Sequence, residues 1–300
     1  MDALSQLVDV LSRHMPRDGM QPSAIAGVTL IRSGTPTQPM PVVYEPTLCL
    51  IAQGRKQVML GATAYVYDAA RYLVASVDMP VTGSVIEATE ARPYLCLQLD
   101  LDMAQLSELA LQYAGGDPAA DGAPTGIALD DTRPELLEAV LRLARLLDTP
   151  RDIAALAPLV RREILYRLLT GAGAGSAMVR QMARADSRLS QISRAIAWLR
   201  RNYDAAFRID DLAEVAGMSR STFHAHFKTV TSMTPLEFRS RLRLQEARRL
   251  MVAQALDAAD AGFRVGYESP SQFSRDYVRM FGLPPAKDAV QLRRAGALAG

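Results

Sequence analysis

Between about residues 25 and 101 the chain runs in short apolar stretches broken by Gly, Pro and Asp. Among them are AGVTLIRSG, PTLCLIAQGRKQVMLG, ATAYVYDAARYLVAS and YLCLQLDLD. In the last of these, Leu95, Leu97, Leu99 and Leu101 alternate with Tyr94, Cys96, Gln98 and Asp100. A period of two predicts a strand with one apolar face. Many short strands at this spacing predict a small barrel or sandwich. Elsewhere the spacing is helical. Residues 3–14 predict a short amphipathic helix and residues 102–112 another. YAGGDPAADGAPTG (113–126) reads as a loop by composition. Thr132-Arg133-Pro134-Glu135 has the spacing of a capping box with Pro in the first turn, and Leu136, Leu137, Val140, Leu141, Ala144 and Leu147 then form one stripe. A further helix is expected over about 152–170, kinked or restarted near Pro158. GAGAGSA (171–177) reads as a flexible linker. From there on the pattern is helical, beginning with Leu189, Ile192, Ile196 and Leu199 on one face.

This helical third contains an internal repeat. LAEVAGMSRSTFHAHF (212–227) aligns with AGFRVGYESPSQFSRDY (261–277). The pairs are Gly217 with Gly266, Ser219 with Ser269, Phe223 with Phe273, Phe227 with Tyr277 and, further on, Pro235 with Pro285. The second copy has one more residue in its turn. Each copy reads as helix–turn–helix, with a Gly for the tight turn, a Ser to cap the second helix and an i,i+4 aromatic pair to pack it inward. At about 100° per residue, the face opposite each aromatic pair can be assigned. It carries Ser221 and Ala225, flanked by Thr222 and Lys228, in the first copy. In the second it carries Ser271 and Arg275, flanked by Gln272 and Arg279. Between the copies, Thr234-Pro235-Leu236-Glu237 opens a helix long enough to hold the two modules at a fixed separation. Modules reading successive major-groove faces lie roughly 34 Å apart.

Charge strengthens the picture. The net charge is only +2, yet residues 187–300 hold 18 Lys and Arg against 11 Asp and Glu, while the remainder holds 16 against 21. A basic final third on an acidic body suits a polyanion partner. No uninterrupted apolar run approaches a membrane span, and the N-terminal residues lack the pattern of a secretory signal, so a cytoplasmic location is expected. Cys49 and Cys96 do not suggest a disulfide framework. The three histidines, His14, His224 and His226, lie outside the strand-rich region. No metal site of the enzymatic cupin kind, no other cofactor site and no catalytic group is therefore expected.

Residues 187–290, with GYESPSQFSRDYVRMFGLPP at 266–285 as their most diagnostic stretch, resemble the DNA-binding domain of the AraC/XylS family of bacterial transcription regulators. Residues 25–110, with YEPTLCLIAQGRKQVMLG, resemble less specifically a cupin-like sensor domain found in one branch of that family. The resemblance implies an α+β chain whose β-rich N-terminal domain (1–115) binds a small-molecule effector. A helical dimerisation region and linker (116–180) and a DNA-binding domain (187–300) follow, with modules at about 208–230 and 256–281. It further implies a homodimer, double-stranded DNA as partner, and activation through RNA polymerase. This sequence departs from the family pattern at Gly262, where Ala is usual, at Asp288, where an aromatic is common, and at Ala225, where some members carry a large side chain.

Arg275 is the strongest candidate for base reading, because Arg pairs bidentately with guanine. Ser221, Thr222, His224, Ser271 and Gln272 are candidates for direct or water-mediated contacts, and Arg220, Lys228 and Arg279 for phosphate. His226 flanks the inward Phe pair. In the N-terminal domain, Tyr94 and Cys96 are candidates to line an effector cavity, Cys96 as a thiol that meets an electrophile or oxidant, and Arg55 and Lys56 to meet an acidic effector at the barrel mouth. The competing readings are a buried inert thiol and a hairpin-turn charge. At the level of the whole chain the competitors are a cupin-type enzyme with a DNA-binding tail, a DNA-repair protein with a similar segment, and a nonspecific architectural binder.

Overall fold

The computed structural model describes residues 2–113 and 126–298, with side chains up to residue 293. The interior of the loop expected at 113–126, and the domain boundary expected at 115, lie outside the described residues. Helix α1 (Ala3–His14) is followed by nine strands: β1 (Gly19–Pro22), β2 (Val28–Ser33), β3 (Met40–Tyr44), β4 (Thr47–Gln53), β5 (Arg55–Leu60), β6 (Thr63–Asp68), β7 (Arg71–Ala75), β8 (Met79–Glu87) and β9 (Tyr94–Asp100). After α2 (Met103–Tyr113) comes β10 (Ile127–Asp131). The strands form two antiparallel sheets, a six-stranded one in the order β1-β2-β9-β4-β7-β10 and a four-stranded one in the order β3-β8-β5-β6. The expected β-rich, cupin-like domain is thus built from two sheets that stay separate rather than close into one ring.

Strand β9 departs from its sequence pattern. Both its faces are covered, and Cys96 and Tyr94 are as buried as the leucines. Helix α1 lies against β4 and β9, which accounts for the covering of one face. The other carries Cys96, beside Cys49 of β4, toward Lys56 and Tyr67 of the smaller sheet.

Helices α3 (Pro134–Arg145) and α4 (Ile153–Thr170) pack on one another and follow the sheets. Pro158 sits inside α4 without dividing it. The capping box expected at 132–135 is not formed. Arg133 is the N-cap, and Thr132 instead extends the strand edge by donating its backbone N–H to the Ala70 carbonyl. The Gly-rich stretch 171–177 is also not a free linker, because α5 (Ala174–Ala183) begins inside it. Its glycines permit close packing. A Cβ on Gly173 would run into the Asp130 carboxylate, and one on Gly175 would lie 2.9 Å from the Tyr72 ring.

The remaining helices are α6 (Arg188–Arg201), α7 (Ile209–Ala216), α8 (Arg220–Thr231), α9 (Pro235–Ala253), α10 (Ala258–Arg264), α11 (Pro270–Phe281) and α12 (Pro285–Leu298). They meet the N-terminal domain through Arg200 of α6, which reaches Asp78 at 2.6 Å and Glu45 at 3.0 Å. Burial holds the Asp78 carboxyl above the ordinary aspartate range even though the guanidinium beside it pulls the other way. No helix among the described residues is long and apolar enough to cross a membrane.

Candidate nucleic-acid interface

The first module is α7, a turn and α8. Gly217 takes φ +66° at the turn, a left-handed conformation that costs a residue with a Cβ about 1–2 kcal/mol. Ser219 caps α8 by accepting from the Thr222 backbone N–H. Phe223 and Phe227 are fully buried, and Phe227 meets Phe238 of α9 edge to face at 5.5 Å. Burying rings of this size stabilises the module by about 1.5–3 kcal/mol each. The opposite face carries Ser221, Ala225 and Lys228 in solvent.

Several candidates on α8 already have partners. The Ser219 hydroxyl donates to the Thr222 hydroxyl at 2.8 Å and lies 3.3 Å from that of Ser221, so these belong to the cap as well as to the exposed face. Arg220 pairs with Asp210 of α7 at 3.6 Å. His224 is partly covered against the Phe223 ring. His226 is also half-buried, and burial first, then the nearby Arg188 charge, holds its imidazole below the usual histidine value.

The second module repeats this construction with α10 and α11. Gly266 takes φ +86°, Ser269 caps α11 by accepting from the Gln272 backbone N–H, and Pro270 occupies the first turn. Phe273 and Tyr277 are buried. Ser271, Gln272, Arg275 and Arg279 are all exposed on the other side. Arg279 has an i,i+3 contact with Asp276 at 3.5 Å, whereas Arg275 has no ion pair with any described residue. An exposed Arg with no ion pair among the described residues, in mid-helix on the face away from the core, is placed to meet an external acceptor.

Two departures from the family pattern now have reasons. The buried Asp288 takes two hydrogen bonds from Arg248 of α9, at 2.8 and 3.1 Å, and one from the Tyr277 hydroxyl at 2.7 Å. It ties α12 to both α9 and α11 where an aromatic would only pack. Burial first, then this carboxylate, drives the Tyr277 phenol well above the ordinary tyrosine range. Gly262 lies directly under Phe273, and a Cβ there would stand 2.9 Å from the ring. The lower helix propensity of Gly is therefore offset by a closer approach of the two helices.

Arg243, which the sequence pattern did not single out, holds the modules together. From α9 its Nε donates to the Tyr203 carbonyl at 2.6 Å, and its two terminal nitrogens donate to the carbonyls of Gly266 at 2.8 Å and Asp204 at 3.0 Å. It joins the segment before the first module to the turn of the second. No local spacing betrays this role, because its acceptors are backbone carbonyls from distant stretches. Helix α9 has 19 residues, a rod of about 28 Å.

The N-terminal candidates fall in two places. Arg55 is exposed at the start of β5, between Asp68 at 3.5 Å and Glu87 at 3.7 Å, beside a cleft of about 310 Å³. Its charge is already answered by two carboxylates. Tyr94 and Cys96 are fully buried between the sheets, and Cys96 hydrogen-bonds with Cys49.

Residues 24–176 match the family described as AraC-type transcriptional regulator N-terminus, and residues 212–289 match a helix-turn-helix domain. The transcriptional activator RhaS of Citrobacter koseri is 26% identical over 85% of both chains. RclR of Escherichia coli, an RCS-specific transcriptional activator, is 35% identical over 30% of this chain and 31% of its own. The crystal structure of ToxT from Vibrio cholerae with an unsaturated fatty acid bound superimposes with a TM-score of 0.57. It covers 87% of this chain and 94% of its own at 11% identity, a likeness of fold. With more than half its length matched by the N-terminal family and a duplicated helix–turn–helix behind it, the chain belongs to the AraC-type transcriptional regulators, DNA-binding proteins with an N-terminal AraC-type domain.

Proposed function

We propose that the protein is a cytoplasmic activator, without enzymatic activity, that binds an asymmetric duplex site spanning two major-groove segments and contacts RNA polymerase there. The carrying observation is the pair of outward recognition faces on α8 and α11, held in one frame by α9 and Arg243. Arg275 reads a guanine. Ser221, Thr222, His224, Ser271 and Gln272 make direct or water-mediated contacts, and Arg220, Lys228 and Arg279 clamp phosphates. The effector domain extends to about residue 115, the helices and connection over 116–180 dimerise it, and the DNA-binding domain occupies 187–300. Leu156 and Leu159 lie exposed on α4 and suit a second copy of the chain.

Selection of binding sites from random duplex DNA by the full chain tests this reading. Enrichment of one site with two conserved blocks about one helical turn apart is expected, and absence of any enriched sequence would overturn it. On the selected site, Lys228→Ala and Arg279→Ala should each lower the slope of log affinity against log salt by about one, without changing sequence preference.

A further inference from the structure

The interior between the two sheets holds polar groups that the fold does not satisfy. Tyr44, Tyr67 and Tyr94 are at most 5% exposed, and the hydroxyl of each lacks a hydrogen bond of ordinary geometry among the described residues, its nearest polar neighbours being Lys56 for Tyr44, Cys49 for Tyr67 and Cys96 for Tyr94. Lys56 joins them. It alternates with the buried Val58 and Leu60 along β5, and stands opposite Tyr67 on β6. Its ammonium lies 5.5 Å from the Tyr44 ring centroid, and its Cε end covers Gly83 of β8. Among the described residues no carboxylate is within ion-pair distance of it. Cys49 and Cys96 face the same groups from the six-stranded sheet.

Buried hydroxyls are nearly always hydrogen-bonded, and a buried charge without a partner costs several kcal/mol. Ordered water answers the phenols. Lys56 is half-buried, so water reaches part of its side chain, but no carboxylate among the described residues answers its charge, which an anion would. The donor set has a chemical bias as well. One ammonium and three phenol hydroxyls supply positive charge and hydrogens, and the acceptors among these six side chains are only phenol oxygens and weakly accepting thiols, with the Gln98 amide next along the same face of β9. A carboxylate offers two oxygens with about four acceptor positions, which matches this set.

We infer that Lys56, Tyr44, Tyr67 and Tyr94, facing one another between the sheets, form a binding site for a small organic carboxylate, the charge held by Lys56 and the oxygens by the phenols. Burial alone favours the neutral amine, but the phenols and thiols around Lys56 pull the other way, and the balance lies above the ordinary lysine value. Burial pushes the Tyr44 phenol up to about 12, so it stays a hydrogen donor. The inference rests on the reading of this domain as the effector domain, and names the ligand class.

The test is thermal denaturation of the full chain in acetate or benzoate against acetamide or benzamide at equal ionic strength. The expected result is a rise in Tm with carboxylate concentration, which amide does not reproduce and which Lys56→Met abolishes. Tyr44→Phe, which keeps the ring, should weaken the same response should Lys56→Met prove unfolded. Equal response to acid and amide, or no response to either acid, overturns the inference; the latter is the outcome if a thiolate of Cys49 or Cys96 already neutralises Lys56. Affinity of the wild type for its DNA site with and without benzoate separates the two readings. A Lys56-dependent Tm shift that leaves DNA affinity unchanged would keep the anion site and remove the effector role.

Discussion

Replacing Arg243 with Met keeps the length of the side chain and removes three hydrogen bonds from a guanidinium to the carbonyls of Tyr203, Asp204 and Gly266. Bonds from a charged donor contribute about 1.5–3 kcal/mol each when water is excluded. Arg243 is only half-buried, and water can reach part of this cluster once the guanidinium is gone. The loss is therefore discounted to about 2–4 kcal/mol in all. Against a total of about 5–15 kcal/mol for a domain, the helical region stays folded but melts earlier, by about 10–20 °C if it unfolds as a unit of about a hundred residues. The functional effect should exceed the structural one. Each module keeps its own core, so affinity for a single recognition block changes little. Affinity for the complete site falls at least tenfold, because the second module is no longer held where its block lies. Circular dichroism melting and gel-shift titration on complete and half sites give both quantities. Unchanged melting together with unchanged affinity for the complete site would refute the claim that Arg243 sets the spacing.

Gly262→Ala should destabilise despite the better helix propensity of Ala. The new methyl meets the buried Phe273 ring at 2.9 Å, and overpacking of about 1–3 kcal/mol exceeds a propensity gain of about 1 kcal/mol; a raised Tm would show that the ring gives way freely. The acid limb of stability should depend in part on Glu163. Its hydrogen bond from Arg142 first, with help from Arg167, holds its carboxyl below the ordinary glutamate range. A lowered folded-state value means the contribution is complete above the unfolded value of about 4.3 and is lost as pH falls through the folded one. Denaturant unfolding between pH 6 and pH 3 should therefore show a shallower loss for Glu163→Gln than for wild type, and parallel curves would contradict this.

The duplicated modules were legible in the sequence because everything that builds them is local. Gly217 and Gly266 mark the turns, Ser219 and Ser269 the caps, and the Phe and Tyr pairs the inward faces. Thr234 and Glu237 form the capping box their spacing predicts. The strand-rich character of the first hundred residues was legible for the same reason. What escaped depends on contacts between distant segments. Gly173 and Gly175 read as linker because composition does not reveal that Asp130 and Tyr72 press on them. Thr132 lost its cap to a strand edge built from Ala70. Arg243 has acceptors some twenty to forty residues away in both directions. Lys56 did leave a trace, since Arg55 and Lys56 together suggest contact with an acidic effector, but the sequence does not separate the two, and only Lys56 alternates with Val58 and Leu60 toward the core while Arg55 is exposed.

The most direct test of the account is genomic footprinting with purified wild-type protein and with Arg275→Ala. Arg275 is exposed, mid-helix and without an ion pair among the described residues, so its removal should leave the fold unchanged while a base contact is worth about 1–3 kcal/mol of discrimination. The account predicts that wild type protects a few sites of about two helical turns and that the variant loses them while keeping weak, salt-sensitive binding. Equal, dispersed and salt-sensitive binding by both proteins would contradict it, and would leave α11 as a basic helix that reads no sequence.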